Sequence, residues 1–123
     1  MLRSAAVLVL LALAFPAAAD AARKPTGKER KAILAAVDGG HRFSCTPAYP
    51  PKSCRRTVRI STARTGWAVV RIVARRGYEG VVQEDATSVT NRGNGWRMHE
   101  VGAARSGCGV PSAVVRDLKL LCL

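Results

Sequence analysis

The sequence predicts an α+β domain: an N-terminal helix packed on a three- to four-stranded antiparallel sheet, a short C-terminal helix and two disulfides. Three observations lead there. Residues 57–74, TVRISTARTGWAVVRIVA, form the one long stretch with a clear two-residue period. Ahead of them, Thr26-Gly27-Lys28-Glu29 opens a segment with apolar residues at helical spacing. Four cysteines, Cys45, Cys54, Cys108 and Cys122, stand outside the predicted helix and hairpin in a chain of 123 residues.

Residues 1–21 read as a signal peptide and 22–123 as a single small domain. A basic start (Met1-Leu2-Arg3), an uncharged run over 5–15 and small residues after it follow the pattern of an export signal. Both Ala17-Ala18-Ala19 and Ala19-Asp20-Ala21 fit the small-x-small cleavage rule. The run is shorter than the roughly 20 residues of a membrane span. No later stretch is long and apolar enough to serve as a transmembrane segment, and no Cys marks a lipoprotein cleavage site. The expected location is secreted, or periplasmic and cell-envelope, after cleavage.

A domain of about 100 residues buries limited apolar surface and needs staples. An even cysteine count in a small exported chain reads as a disulfide framework with three possible pairings. Cys45–Cys54 with Cys108–Cys122 is favoured, because each pair brackets one irregular segment. No C-x₂-C spacing occurs and His41 and His99 are far apart, so the pattern of a zinc site is missing. Nothing in the sequence calls for a cofactor.

The elements follow in order. Thr26 and Glu29 form a capping box, in which each side chain reaches the other's backbone N–H. A helix over 27–38 then places Ala32, Ile33, Ala36 and Val37 on one face, and Lys28, Arg30, Lys31 and Ala35 mostly on the other. Asp38-Gly39-Gly40 should stop it, with Gly39 free to take a left-handed cap. Residues 41–52, HRFSCTPAYPPK, form a proline-rich loop that exposes Phe43 and Tyr49 or folds them over the core edge. In the hairpin, Val58, Ile60 and Thr62 share a face, as do Ala68, Val70, Ile72 and Ala74. The opposite face of the second strand carries Trp67, Val69, Arg71 and Val73, so that strand belongs in the middle of the sheet. Residues 75–80 read as a turn and 81–83 as a short strand. Further strands are expected over 86–90 and 95–101, joined by the turn Asn91-Arg92-Gly93-Asn94-Gly95. A link over 102–109 leads to Pro111, which suits a first helical turn. A helix over 112–120 follows, with Val114, Val115, Leu118 and Leu121 on its apolar face.

Lys and Arg number 20 against 8 Asp and Glu, a formal charge of +12. That excess calls for an anionic partner: a cell-wall polymer, an acidic protein, nucleic acid or anionic lipid. The basic residues lie in short clusters, and none forms the five-residue block of a nucleic-acid signal. An Arg excess of this kind also follows from a GC-rich genome. Arg55, Arg56, Arg75 and Arg76 are the candidate binding residues, because the hairpin brings these strand ends together. His41 and His99 are the only histidines, and with neighbouring cations they admit a ribonuclease-type hydrolase as the alternative function. No catalytic motif accompanies them, so the primary reading is a non-catalytic binding or interaction module.

The order helix, loop, antiparallel strands over about residues 26–103 resembles the cystatin-like layout, in which a sheet wraps one helix. Its inhibitory Gln-Val-Val-x-Gly pattern is absent, since Val81-Val82-Gln83 does not match it, and no inhibitory residue carries over. The ending Cys108-Gly109-Val110-Pro111 through Leu120-Leu121-Cys122, after Gly95-Trp96-Arg97, is similar to small exported proteins of unknown function from high-GC bacteria. That resemblance implies no activity.

Overall fold

A computed structural model describes residues 22–40 and 52–123. Its element order is α1 (Gly27–Gly40), β1 (Cys54–Ile60), β2 (Trp67–Ala74), β3 (Asp85–Asn91), β4 (Trp96–Val101) and α2 (Ser112–Leu118). The four strands form one antiparallel meander in the order β1-β2-β3-β4. The expected single α+β arrangement is therefore present, with the four-strand count and β2 inside the sheet.

The capping box forms as the spacing predicts. The Thr26 amide donates to Glu29 Oε1 (3.0 Å), and the Glu29 amide donates to Thr26 Oγ1 (3.2 Å). Ile33 and Val37, one turn apart, are fully buried. They pack with Val58, Ile60, Ala68, Val70, Ile72 and Val89, which all come from one face of the sheet. The helix continues through Gly39 and Gly40 instead of stopping at 38, and Gly39 does not take the left-handed conformation.

β1 begins at Cys54, three residues before the predicted start of the hairpin, and pairs along its whole length from Cys54↔Ala74 to Ile60↔Ala68. Gly66 makes the β1–β2 connection possible. It sits at φ +83°, and a Cβ there would run into the Asn91 carbonyl oxygen. The close approach is a bond, since the Asn91 amide donates to the Gly66 carbonyl at 2.9 Å.

The strand expected at 81–83 does not exist. The amides of Val81 and Val82 both turn back onto the Tyr78 carbonyl at 3.0 Å, and Val82 is buried in the α1-side core as a plug. A residue whose N–H closes a local turn has none left for a sheet ladder. In β4 the predicted alternation holds only halfway. The register slips between Ser88↔Glu100 and Val89↔Met98, which makes His99 the extra residue of a bulge. Val101 consequently joins Trp96 and Met98 against the α1-side core, where strict alternation puts it on the other face.

The second helix ends at Leu118, two residues short of the predicted 120. Lys119 adopts φ 54°, ψ 47°, a left-handed cap that breaks the helical path. Leu121 is therefore 51% exposed, outside the apolar face assigned to it, while Leu120 is buried. Beyond α2 the chain folds back on the 102–109 link, where the Gly107 amide donates to the Leu121 carbonyl (2.7 Å) and Cys108 bonds to Cys122. Of the two expected disulfides this is the one found among the described residues. The other, Cys45–Cys54, has its Cys45 end outside them.

Candidate functional site

The alternation of β1 separates the four candidate arginines. Arg55, Thr57 and Arg59 occupy the sheet face away from α1, while Cys54, Arg56, Val58 and Ile60 face α1. Arg56 is committed there: its guanidinium pairs with Asp38, and its carbonyl accepts from Arg30 Nη2 at 3.2 Å. Arg75 is tied to the strand end, donating through Nε to the Cys54 carbonyl (3.1 Å) and through its amide to Ser53 (2.9 Å). Arg76 is exposed in the turn that follows. Arg55 is exposed and forms no ion pair among the described residues.

The face bearing Arg55 is built differently from the α1 face. Helix α2 covers its middle, with Val114, Leu118 and Leu120 packed on Trp67, Val69 and Ala86. Toward β1, Ala22 packs on the same cluster, and the rest of the face is not covered by a helix or strand among the described residues. There a pocket of about 410 Å³ is lined by Ala22, Thr57, Arg59, Arg71, Asp117, Leu118 and Lys119. Three of these are cations and one is an acid.

Arg71 is the half-buried member. Its Nη2 donates to the carbonyls of Leu118 (2.5 Å) and Lys119 (3.1 Å), where the C-terminal end of α2 leaves acceptors unsatisfied. Burial lowers its pKa below the usual value, yet an arginine stays charged. These bonds hold the left-handed Lys119, a backbone state that costs a residue with a Cβ roughly 1–2 kcal/mol. Asp117 points at the β1–β2 loop. Its Oδ2 accepts from Ser61 Oγ (2.7 Å), the Thr62 amide (2.8 Å) and the Ala63 amide (3.3 Å). Among the described residues Arg59 donates only a long bond to the adjacent Val58 carbonyl, 3.4 Å, and meets no acid, so its charge remains available.

The histidines are not brought together by anything described. His41 lies outside the described residues. His99 donates from Nε2 to the Cys108 carbonyl at 2.8 Å, because a carbonyl can only accept. Its ring meets Trp67 edge-on at 5.0 Å. Among the described residues no three His, Cys, Asp or Glu side chains converge as a metal site, and no helix is long and apolar enough to cross a membrane.

The sequence reading missed Arg59, Arg71, Asp117 and Lys119. A signal for two of them existed. Arg71 is the one charge on either face of β2, and Asp117 interrupts the apolar side of α2 between Val114 and Leu118. A charge in an apolar stripe needs a partner, but the identity of that partner is set by packing.

Fold and face together define a small α+β domain whose four-stranded meander carries a helix on each side and a cationic edge. No protein-family model, curated protein or solved structure matches the chain.

Proposed function

We propose that this protein is a non-catalytic, exported binding module that engages an anionic polymer along the face of β1 turned away from α1. The observation that carries the reading is the run Arg55, Thr57, Arg59 on one face of an edge strand, continued by Arg71 and Lys119 in the adjoining pocket. Arg55 and Arg59, four residues apart on the strand, stand about 13 Å from each other with the hydroxyl of Thr57 between them, a spacing that lets two cations meet separate phosphates or carboxylates of one extended polymer. Arg76, exposed in the turn after β2, is a further cation beyond the strand end. Arg56 is not part of it, because Asp38 neutralises it on the other face. Cleavage of residues 1–21 and pairing of Cys45 with Cys54 belong to the same reading of an exported, stapled domain. So does the likeness to small exported proteins with a cystatin-like element order. The ribonuclease-type alternative gains no support from His99, whose Nε2 and ring are both engaged in packing β4 against the Cys108 segment.

The test is binding of the oxidised domain to polyphosphate, polyglutamate and uncharged dextran at two ionic strengths. Affinity for the polyanions should fall steeply with salt, and dextran should not bind. Reversing Arg55 and Arg59 to Glu should flatten the salt slope by about one unit per lost contact, whereas Arg56→Glu should leave it nearly unchanged. Absence of any salt-sensitive binding would leave the edge arginines with a different task, keeping an edge strand that Arg23 closes only at Ile60 from adding to a second chain. In that case the double variant should self-associate.

A further inference from the structure

Asp117 is only 8% exposed, yet half of its carboxylate is unsatisfied. Oδ2 is fully engaged by Ser61, Thr62 and Ala63, while Oδ1 is buried without a hydrogen-bond partner among the described residues. A buried carboxylate oxygen in that state is costly and calls for a donor, best a charged one.

Ala22 lies at the same corner. Arg23 and Ile60 exchange two amide hydrogen bonds, each 2.9 Å, in an antiparallel bridge. That register sets Ala22 opposite Ser61, in the non-hydrogen-bonded position where paired Cα atoms come within about 4.5 Å. Ser61 is the residue whose hydroxyl holds Asp117. Ala22 also packs on the cluster of Trp67, Val114 and Leu118 and lines the same pocket as Asp117. The position is also where a small-x-small rule, Ala19-Asp20-Ala21, places an end of the chain.

We infer that Asp117 Oδ1 is the receptor for the α-ammonium group of Ala22, created when the leader is cut between Ala21 and Ala22. The inference rests on the export reading and selects one of its two cleavage positions. Hydrolysis of that peptide by a peptidase consumes one water, leaves a carboxylate on Ala21 and gives Ala22 an amine that is protonated at neutral pH. The uncut chain offers a single amide N–H at this place; the cut chain offers three donors and a full charge. Arg59, Arg71 and Lys119 in the pocket, and Arg23 next in sequence, oppose a further cation. Arg71 is spent on the α2 carbonyls and Arg23 on Glu29, which leaves Asp117 as the one acid in the lining. Cleavage after Ala19 would leave Asp20 and Ala21 ahead of Ala22, whose nitrogen would remain an uncharged amide.

Chain 22–123 contains every described helix and strand, and it can be prepared with a free or an acetylated α-amine, each also as Asp117→Asn. The free amine should raise the melting temperature of the natural sequence by about 4–8 °C over the acetylated form, and Asp117→Asn should erase the difference. The Ala22 amine should titrate above its ordinary value of about 8. Equal melting of the two wild-type forms with an ordinary amine pKa would overturn the pairing, and this comparison decides even if Asp117→Asn fails to fold. N-terminal sequencing of the chain recovered from an expressing culture should begin at Ala22. A start at Asp20 would sink the proposal while export stands, and a chain never shortened would sink the export reading as well.

Discussion

The two faces of the sheet are closed by different means. On one, α1 spans fourteen residues, begins with its own capping box, and lays Ile33 and Val37 into an aliphatic layer supplied by all four strands. On the other, α2 has seven residues, no side-chain cap at its start, and a left-handed stop. A helix that short cannot pay its nucleation cost alone. It stays in place through named ties: Val114 and Leu118 on Trp67 and Val69, Arg71 to its last carbonyls, Asp117 to the β1–β2 loop, and Cys108–Cys122 around it. The first face is held by area and the second by individual bonds. Only the second leaves part of the sheet open, and that opening is where Arg55, Arg59 and Arg71 stand.

The contrast can be broken first at its apolar side. Ile33→Ala should lower the unfolding free energy by about 3 kcal/mol, the range for a fully buried Ile, in a single cooperative denaturant transition that takes both faces down together. A two-step curve would show that the faces are independent. Replacing Cys108 and Cys122 by Ser opens a 14-residue separation and should cost about 2–3 kcal/mol. Hydrogen exchange should locate the loss: α2 amides lose protection ahead of β2 and α1. Uniform loss across the molecule would contradict the picture of a separately tied helix.

Arg71→Met keeps the length of the side chain and removes both bonds to the α2 terminus. About 1–2 kcal/mol is expected for a charge-assisted pair that is half exposed, together with weaker polyanion binding. An unchanged melting temperature would mean that the disulfide alone suffices. The smallest effect belongs to the start of α1. The Arg23 guanidinium, and next the Thr26 amide, hold the Glu29 carboxyl down from 4.5 to about 2. A depressed carboxylate stabilises the fold fully above its unfolded value and stops doing so as pH falls through the folded one. The stability gap between the wild type and Glu29→Gln should therefore be constant above about pH 4.5 and close between there and pH 2. A gap that persists at pH 2 would place the effect elsewhere than in the charge of Glu29.

Local rules carried much of this structure. The capping box of Thr26 and Glu29, the faces of β1 and β2, the inner position of β2 and the Asn91–Gly95 turn all rest on interactions between residues near in sequence or on the fixed period of a strand. Alternation also implied that Arg55 and Arg56 diverge. That consequence became visible only once β1 was seen to begin at Cys54, since before it both lay in a strand end of unknown course. Two features depended on distant partners, and a third combined a local turn with a space in the distant core. The bulge at His99 exists because its ring seats against Trp67 and its Nε2 reaches Cys108, and it moves Val101 to the other face. The end of α2 at Leu118 exists because Arg71, some 47 residues earlier, binds the terminal carbonyls. The 81–83 segment turns instead of pairing because Tyr78 offers its carbonyl and the core has a space that Val82 fills.

By itself the sequence determined the two helices and the four main strands in outline, the apolar faces of α1, β1 and β2, and that the chain would be strongly cationic. Only the tertiary structure decided which cations stay free. Asp38 removes Arg56, Cys54 holds Arg75, and the short span of α2 leaves Arg55 and Arg59 uncovered. Periodicity is a property of neighbouring residues, whereas the pairing of a charge depends on which distant group the packing brings within a few ångströms of it.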